Sequence, residues 1–455
     1  MEMILEFLRD VLSQPALLIG IMSCVGLIAL KRPFHKVMTG TLKPILGYLM
    51  LAAGAGVIVS NLDPLGKMIE HGFHITGVVP NNEAIVAVAQ KVLGVETMSI
   101  LVVGLLMNLC IARFTKFKYV FLTGHHSLFM ACLMSAVLGT AGLSGMELIL
   151  VGGFLMGAWS AISPAIGQSY TSKVTDGDEI ALGHFGSLGY YLSAWVAKYV
   201  GKAEESTEDI EIPEKWGFLR DSTLSTALTM IVFYLIAAIA AGSEFVATLS
   251  GSMSPYLFAI MSAMNFAVGV AIVYSGVRMI LGDLIPAFQG IATKIIPNAI
   301  PAVDCAVFFT YAPTAVVLGF ISSFIGGIIG MLILGAVGGV LIIPGLVPHF
   351  FCGATAGIYG NATGGRRGAA VGAFLNGLAI TFLPALALPV LGQLGFQNTT
   401  FGDADFAVMG LVLGNAFEWI GMAGIYGIVV IAALVLIIPN FIKTKGKVIN
   451  YVEED

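Results

Sequence analysis

Charged residues are scarce in this chain. Asp, Glu, Lys and Arg make up 11% of its 455 residues, 57% are hydrophobic, and the mean hydropathy is +0.93. A soluble domain carries roughly 25% charged residues, so this sequence lacks the polar surface that a water-soluble fold of its length needs. Its long apolar segments must therefore face lipid, and the composition indicates a polytopic membrane protein.

Sequence signatures of several soluble functions are also missing. No basic block suggests nucleic acid, and no Walker A sequence suggests ATP binding by a P-loop. No Ser/His/Asp or HExxH arrangement is present. The cysteines lie in or beside apolar segments without metal-ligand spacing, which favours small buried hydrophobes. We therefore expect no nucleic-acid partner, no metal and no cofactor. The five cysteines are Cys24, Cys110, Cys132, Cys305 and Cys352.

The apolar segments predict an all-α fold with about eleven transmembrane helices in a lipid bilayer. A short amphipathic stretch over residues 1–13 is expected to lie at the membrane interface and not to act as a cleavable signal. The last segment is long enough to tilt or to extend beyond the membrane. The segments centre on 14–30, 44–62, 97–112, 119–139, 146–166, 223–242, 256–281, 313–333, 334–354, 370–391 and 408–440.

Lys and Arg orient the chain, because cytoplasmic loops carry an excess of both residues. The loops 243–255 and 392–406 contain neither. An outside N-terminus and a cytoplasmic C-terminus in a bacterial inner membrane satisfy this distribution. The clusters of Lys and Arg lie at 31–43, 113–118, 366–367 and 443–447.

A hydrophilic stretch at 201–222 divides the chain into two near-equal halves, 1–200 and 223–440, which a tail at 441–455 follows. In the predicted orientation this stretch and the tail are cytoplasmic. The stretch is interpreted as a solvated linker, and a docking surface for a cytoplasmic partner is the alternative.

Short motifs recur in both halves in the same order. Each half has about five crossings, an odd number, so the halves would be inverted relative to one another, which is typical of transporters. The Pro/Asn-rich segments 78–94 and 295–312 are too short and too polar to cross, and are predicted to be re-entrant hairpins whose tips meet. The recurring pairs are Gly56 to Asp63 with Gly276 to Asp283, Glu83 with Asp304, and His125 with His349.

Ionisable side chains inside a membrane are costly unless they are paired or hydrated, so each is a candidate for function. Glu83 and Asp304 are expected at the hairpin tips, where carboxylates would accept hydrogen bonds from sugar hydroxyls. Asp304 is also a candidate base for phosphoryl transfer. His125, His126 and His184 offer nitrogens that donate or accept. The alternatives are helix packing for a single His and structural pairing or capping for the carboxylates.

Several motifs together resemble the ascorbate-type enzyme IIC family of the phosphotransferase system, within the ascorbate/galactitol superfamily. The resemblance spans nearly the whole chain and implies an eleven-helix homodimer with a V-shaped scaffold and a mobile core. It also implies uptake of L-ascorbate coupled to phosphorylation by a phosphocysteine on a separate enzyme IIB, which enzyme IIA supplies. The motifs are TGHHSLF at 123–129, TDGDEIALGH at 175–184, VDCAVFFTYAPTAVVLGF at 303–320, LIIPGLVPHFF at 341–351 and GG-R at 364–366.

The family's ligand contacts carry over in part. The resemblance places Phe129 and Phe185 where the family has Gln, and Asn82-Glu83 where it has Thr-Tyr. These changes alter the hydrogen bonds offered to the ligand, so the expected substrate is L-ascorbate or a related sugar acid or polyol. The substrate-binding residues it implies are Asn82, Glu83, His125, His126, Phe129, His184, Phe185 and Asp304.

The soluble part of the sequence is too small for an enzyme IIA or IIB domain. We therefore expect a transport subunit that contributes to a phosphotransferase complex and is not catalytic alone. An ion-coupled secondary transporter of a small polar solute is the alternative, because inverted repeats and membrane carboxylates fit it equally well. A membrane-embedded enzyme acting on lipid is less favoured, since no cluster of catalytic residues lies near one interface.

Overall fold

The computed structural model describes residues 11, 14–74, 77–80, 82–210, 222–392 and 399–441. Helices dominate these residues, because a helix satisfies its own backbone hydrogen bonds inside a bilayer. The helices are α1 (Pro15–Ala29), α2 (Phe34–Phe73), α3 (Asn82–Phe114), α4 (Gly124–Thr140), α5 (Gly145–Thr175), α6 (Ser187–Val200), α7 (Ser222–Ala241), α8 (Ser243–Ser250), α9 (Pro255–Lys294), α10 (Pro313–Ala336), α11 (Leu346–Gly392), α12 (Ala404–Ile420) and α13 (Met422–Ile437).

Among the described residues, seven helices are long and apolar enough to cross a membrane, and the bent pair α7–α8 would make eight. The all-α polytopic class is therefore confirmed, and the structure accounts for seven or eight of the eleven predicted crossings. The predicted span 408–440 is two helices, which separate at Gly421, a residue with a φ of 63°. Helix α11 is kinked at Gly364 and Gly365, whose backbone angles are not helical.

The predicted re-entrant segments differ from one another. Residues 82–94 are the first turns of the 33-residue helix α3 and form no hairpin, which corrects the prediction for 78–94. Residues 295–312 do contain non-helical backbone, namely a strand at Ile300–Val303 and a 3-10 helix at Cys305–Thr310. Both segments therefore contain non-helical backbone, which in the first lies at the strand Val79–Pro80, before the helix begins at Asn82.

The helices pack in two groups. The first group comprises α1, α2 and α7–α9, and the second comprises α3–α6 and α10–α13. Each half of the chain contributes its first helices to the first group and its later helices to the second. In the first group α2 and α9 run antiparallel, since Gly47 lies against Gly276 and Gly54 against Gly269. An inverted repeat requires this relative direction, although the repeat itself stays a prediction.

Short parallel strands lie in the second group. The strands are β1 (Val79–Pro80), β2 (Tyr119–Phe121), β3 (Ala181–Leu182), β4 (Ile300–Val303) and β5 (Thr399–Thr400). Strand β4 pairs with both β2 and β3, and β1 pairs with β5. Because all of these pairs are parallel, the residues that follow the strands come together at one edge. Backbone pairing of this kind is what makes non-helical segments tolerable at membrane depth.

Residues 201–210 of the predicted linker are packed against the second group. The carboxylate of Glu208 accepts hydrogen bonds from the backbone N–H groups of Thr314 and Ala315, each at 3.1 Å. The Asn361 side chain accepts from the backbone N–H of Thr207 at 2.8 Å. The described part of this stretch is therefore held on the first turn of α10 and on α11, and it is not simply solvated.

Candidate substrate-binding site

A cavity of about 930 Å³ lies between the two groups of helices. One wall is a single face of α2, because the residues that line it recur every three or four positions. The opposite wall and the floor come from the residues that follow the strands and from the start of α11. The α2 residues that line the cavity include Tyr48, Leu51, Ala55, Val59, Leu62, Gly66 and Glu70.

His125 and Asp304 are in contact at the floor of the cavity. The His125 Nε2 atom lies 3.3 Å from Asp304 Oδ2, and the His125 Nδ1 atom lies 3.1 Å from the hydroxyl of Tyr48. The other oxygen of Asp304 accepts the backbone N–H of Ala306 at 3.0 Å and so caps the 3-10 helix. With Nε2–H donating to the carboxylate, the Tyr48 hydroxyl donates to Nδ1. The hydrogen bond between Tyr48 and His125 therefore links the first group of helices to the second.

His126 and His184 lie side by side, with 3.8 Å between their ring centroids. The Nδ1 atom of His126 accepts the backbone N–H of Phe185 at 3.3 Å, and that of His184 accepts the N–H of Gly186 at 3.1 Å. A backbone N–H can only donate, so both Nδ1 atoms are unprotonated and each neutral ring carries its proton on Nε2. The tautomers of both rings are therefore fixed, with Nε2–H as the remaining donor.

Asp403 is a cavity residue that the sequence reasoning missed. It is buried and follows β5, and its Oδ2 accepts the side-chain amide of Asn82 at 2.7 Å. Its Oδ1 accepts the thiol of Cys352 at 3.0 Å and lies 3.8 Å from His184 Nδ1. The signal in the sequence was a pair of aspartates at 403 and 405, in a loop without Lys or Arg.

Asp405 fixes the segment that carries His184. Its carboxylate accepts the hydroxyl of Ser187 at 2.7 Å, the backbone N–H of Leu188 at 2.9 Å and the indole N–H of Trp159 at 3.2 Å. Three donors satisfy a carboxylate that is otherwise fully buried, as a buried charge requires. Asp405 therefore ties the start of α6 to the start of α12.

The structure brings most of the predicted site residues together. Five of them line the cavity together with Phe129, which lies edge-on to His125 with ring centroids 5.8 Å apart. Phe185 does not line it, because its ring is fully buried and stacks on Phe121 at 4.6 Å. The side chain of Glu83 lies outside the described part of the structure. The other five are Asn82, His125, His126, His184 and Asp304.

His349, the predicted repeat partner of His125, is placed differently. It is buried, and its Nδ1 atom lies 2.9 Å from the hydroxyl of Ser323. His349 is not among the residues that line the cavity. It is therefore a packing residue between α10 and α11, as the helix-packing alternative for a single His anticipated.

The side chains at the floor include types that bind metals. Ligand atoms of His126, His184 and Asp403 lie within 4.8 Å of one another, as do those of His184, Asp304 and Cys305. However, the Nδ1 atoms of both histidines already accept backbone hydrogen bonds. A hydrogen-bonding site accounts for this arrangement, and the absence of a metal stays a prediction.

Comparison with known proteins places the chain in a family. The family model described as the sugar-specific permease component of the phosphotransferase system, EIIC-GAT, matches residues 10–405. The chain belongs to this family. The EIIC-GAT chain is also similar to the ascorbate-specific phosphotransferase system EIIC component of Mycoplasma pneumoniae, with 26% identity over 417 residues. The match covers 78% of this chain and 62% of that protein, so the chain spans less than two thirds of this relative.

Proposed function

We propose that this EIIC-GAT chain takes up L-ascorbate, or a related sugar acid or polyol, and that uptake is coupled to phosphorylation by a separate enzyme IIB that enzyme IIA supplies. The observation that carries the proposal is the convergence of His125, His126, His184 and Asp304 on one cavity. Because the chain belongs to a family of sugar permeases, this cavity is the candidate binding site for a sugar-like substrate. The similarity to the ascorbate-specific EIIC component of Mycoplasma pneumoniae supports ascorbate as the substrate.

The chemistry of the floor fits a ligand rich in hydroxyl groups. Imidazole N–H donors and carboxylate acceptors line the same cavity, and sugar hydroxyls both donate and accept. The cavity volume of about 930 Å³ falls near the upper end for small-molecule sites. A small sugar acid would occupy only the floor, and the α2 face would form its path of entry.

Asp304 is the proposed base. In the transfer step a ligand hydroxyl oxygen attacks the phosphorus of the donor phosphocysteine, the S–P bond breaks, and the cysteine leaves as thiolate. The hydroxyl proton passes to the carboxylate of Asp304, whose Oδ2 faces His125. A positioned carboxylate within hydrogen-bond reach of the hydroxyl is the geometry that general base catalysis needs.

The direction of the cavity supports uptake from outside. Helix α2 starts beside the Lys and Arg cluster at 31–43, and the cavity extends along α2 from Tyr48 to Glu70, away from that cluster. With the basic loops in the cytoplasm, the cavity opens to the outside. We propose that the second group, which holds the floor, is the mobile core and that the first group belongs to the scaffold of a homodimer.

Transport in proteoliposomes tests the proposal. Vesicles that contain the chain receive enzyme IIB and its phosphoryl supply on the side of the basic loops, and ¹⁴C-labelled L-ascorbate outside. We expect label to accumulate inside as a phosphate ester, and to stop accumulating when the phosphorylated cysteine of IIB is replaced by Ser. Accumulation of unmodified label that a protonophore abolishes would support the ion-coupled alternative instead.

A further inference from the structure

Asp403 is a buried carboxylate whose assigned hydrogen-bond donors are uncharged. Its two oxygens accept an amide N–H from Asn82 and the thiol of Cys352. A carboxylate has about four lone-pair directions, so two donors leave it capable of accepting more. Burial makes each unsatisfied direction costly. Because Asp403 lines the cavity, a ligand there can supply a further donor.

Asp403 and Asp304 each lie close to His184. The ligand atoms of Asp403, His126 and His184 form one compact cluster, and those of Asp304, His184 and Cys305 form a second, so His184 is common to both. The histidines offer Nε2–H donors because their Nδ1 atoms accept backbone N–H groups. The floor therefore holds two carboxylate acceptors, each close to His184, together with the Nε2–H donors of His126 and His184.

We propose that Asp403 is a specificity-determining residue, which accepts a ligand hydroxyl other than the one that Asp304 accepts. The proposal rests on the function proposed above and narrows its substrate class. These groups fit a small polyhydroxylated molecule with one hydroxyl donor for each carboxylate and an acceptor oxygen, such as a carbonyl, enolate or ring oxygen, for a histidine N–H.

Asn82 holds Asp403 in place. Its side-chain oxygen accepts the backbone N–H of Gly402 at 2.9 Å, while its amide nitrogen donates to Asp403. Both polar atoms of Asn82 are thus bonded to the segment that follows β5. Asn82, which the family resemblance implied as a ligand contact, is a positioning residue in this proposal. Replacing it disturbs Asp403 without removing the carboxylate.

Binding measured against ligand analogues separates the two roles. Isothermal titration calorimetry on the full chain in detergent first compares L-ascorbate, galactitol and xylitol, and then single-deoxy analogues of the tightest binder. The proteins are the parent, Asp403→Asn, Asp304→Asn and the positioning variant Asn82→Ala. Asp403→Glu, which keeps the charge and displaces it, replaces Asp403→Asn if that variant does not fold by thermal melting.

We expect Asp403→Asn to weaken binding of the full ligand about tenfold or more, the scale of a charged hydrogen bond. One deoxy analogue should bind Asp403→Asn and the parent equally, and a different analogue should be indifferent to Asp304→Asn. Asn82→Ala should weaken binding with the same dependence on the analogue as Asp403→Asn, because it acts through Asp403. One common factor for all analogues in Asp403→Asn, or no change, would overturn the role of Asp403 alone. A parent protein that binds none of the ligands would overturn the proposed function together with it.

Discussion

His125 and Asp304 approach each other to 3.3 Å because the strands that precede them, β2 and β4, pair in parallel. His184 follows β3, which pairs with β4 on the side opposite to β2. Three distant stretches of sequence thus deliver their polar side chains to one edge of a three-stranded sheet. The site is therefore built on paired backbone in the second group, and the first group adds the hydroxyl of Tyr48.

Replacing Asp304 by Asn tests the floor directly. The amide keeps the shape of the side chain but removes its charge and most of its basicity. We expect ligand binding to weaken by about 1–3 kcal/mol, the scale of a hydrogen bond to a charged group, and coupled phosphorylation to fall further. Calorimetry in detergent gives the first quantity and the vesicle assay the second. Unchanged affinity for every ligand in a folded protein would place the site elsewhere.

Phe129 and Phe185 are predicted to behave differently when each is replaced by Gln. Phe129 lines the cavity. Phe129→Gln should therefore offer the ligand a side-chain amide for hydrogen bonding and shift binding preference from polyols toward ascorbate. Phe185 is fully buried against Phe121. Phe185→Gln should therefore bury an unpaired amide and lower the free energy of unfolding by about 1–3 kcal/mol.

The two Phe variants serve as controls for each other. Ratios of ascorbate to galactitol affinity and thermal melting in detergent are measured on both proteins. The family motif implies that both Phe129 and Phe185 contact the ligand. Equal shifts in ligand preference with equal stability in the two variants would therefore contradict the placement of Phe185 in the buried core.

The sequence predicted the broad fold from hydropathy, because the cost of unsatisfied backbone in lipid leaves few alternatives to helices. It also identified the polar residues at the floor, since ionisable groups are rare in apolar segments. It misplaced the 78–94 hairpin, because a Pro/Asn-rich start followed by polar residues does not distinguish a hairpin from the first turns of α3. The short strands carried no alternating pattern long enough to detect.

Asp403 escaped the sequence analysis for a physical reason. Its place at the floor depends on the pairing of β1 with β5, which joins residues far apart in the chain. Nothing local distinguishes it from Asp405, which accepts three hydrogen bonds from the second group. The role of each aspartate follows only from tertiary contacts.

Asp405→Asn should lower stability. Asn has only one acceptor oxygen, and its amide would face the N–H of Leu188 or the hydroxyl of Ser187, so at least one buried donor loses its partner. We expect a loss of about 1–3 kcal/mol, measured by denaturant unfolding in detergent. The control is Asp63→Asn, which removes an exposed i,i+4 pair with Lys67 worth about 0–1 kcal/mol. Equal losses in both variants would contradict the anchoring role of Asp405.

Glu208 should control whether residues 201–210 stay docked on α10. Its carboxylate accepts two backbone N–H groups at the first turn of that helix, where negative charge is stabilised by the helix dipole. Glu208→Gln removes the charge, so we expect the amides of Thr314 and Ala315 to exchange hydrogen faster, by about twofold to thirtyfold for a loss of about 0.5–2 kcal/mol. Hydrogen exchange with mass spectrometry on detergent-solubilised protein measures this change.

Glu204→Gln, an exposed change in the same stretch, should leave exchange as it was. Identical hydrogen exchange in both variants would mean that residues 201–210 are held by the Thr207–Asn361 contact without help from Glu208.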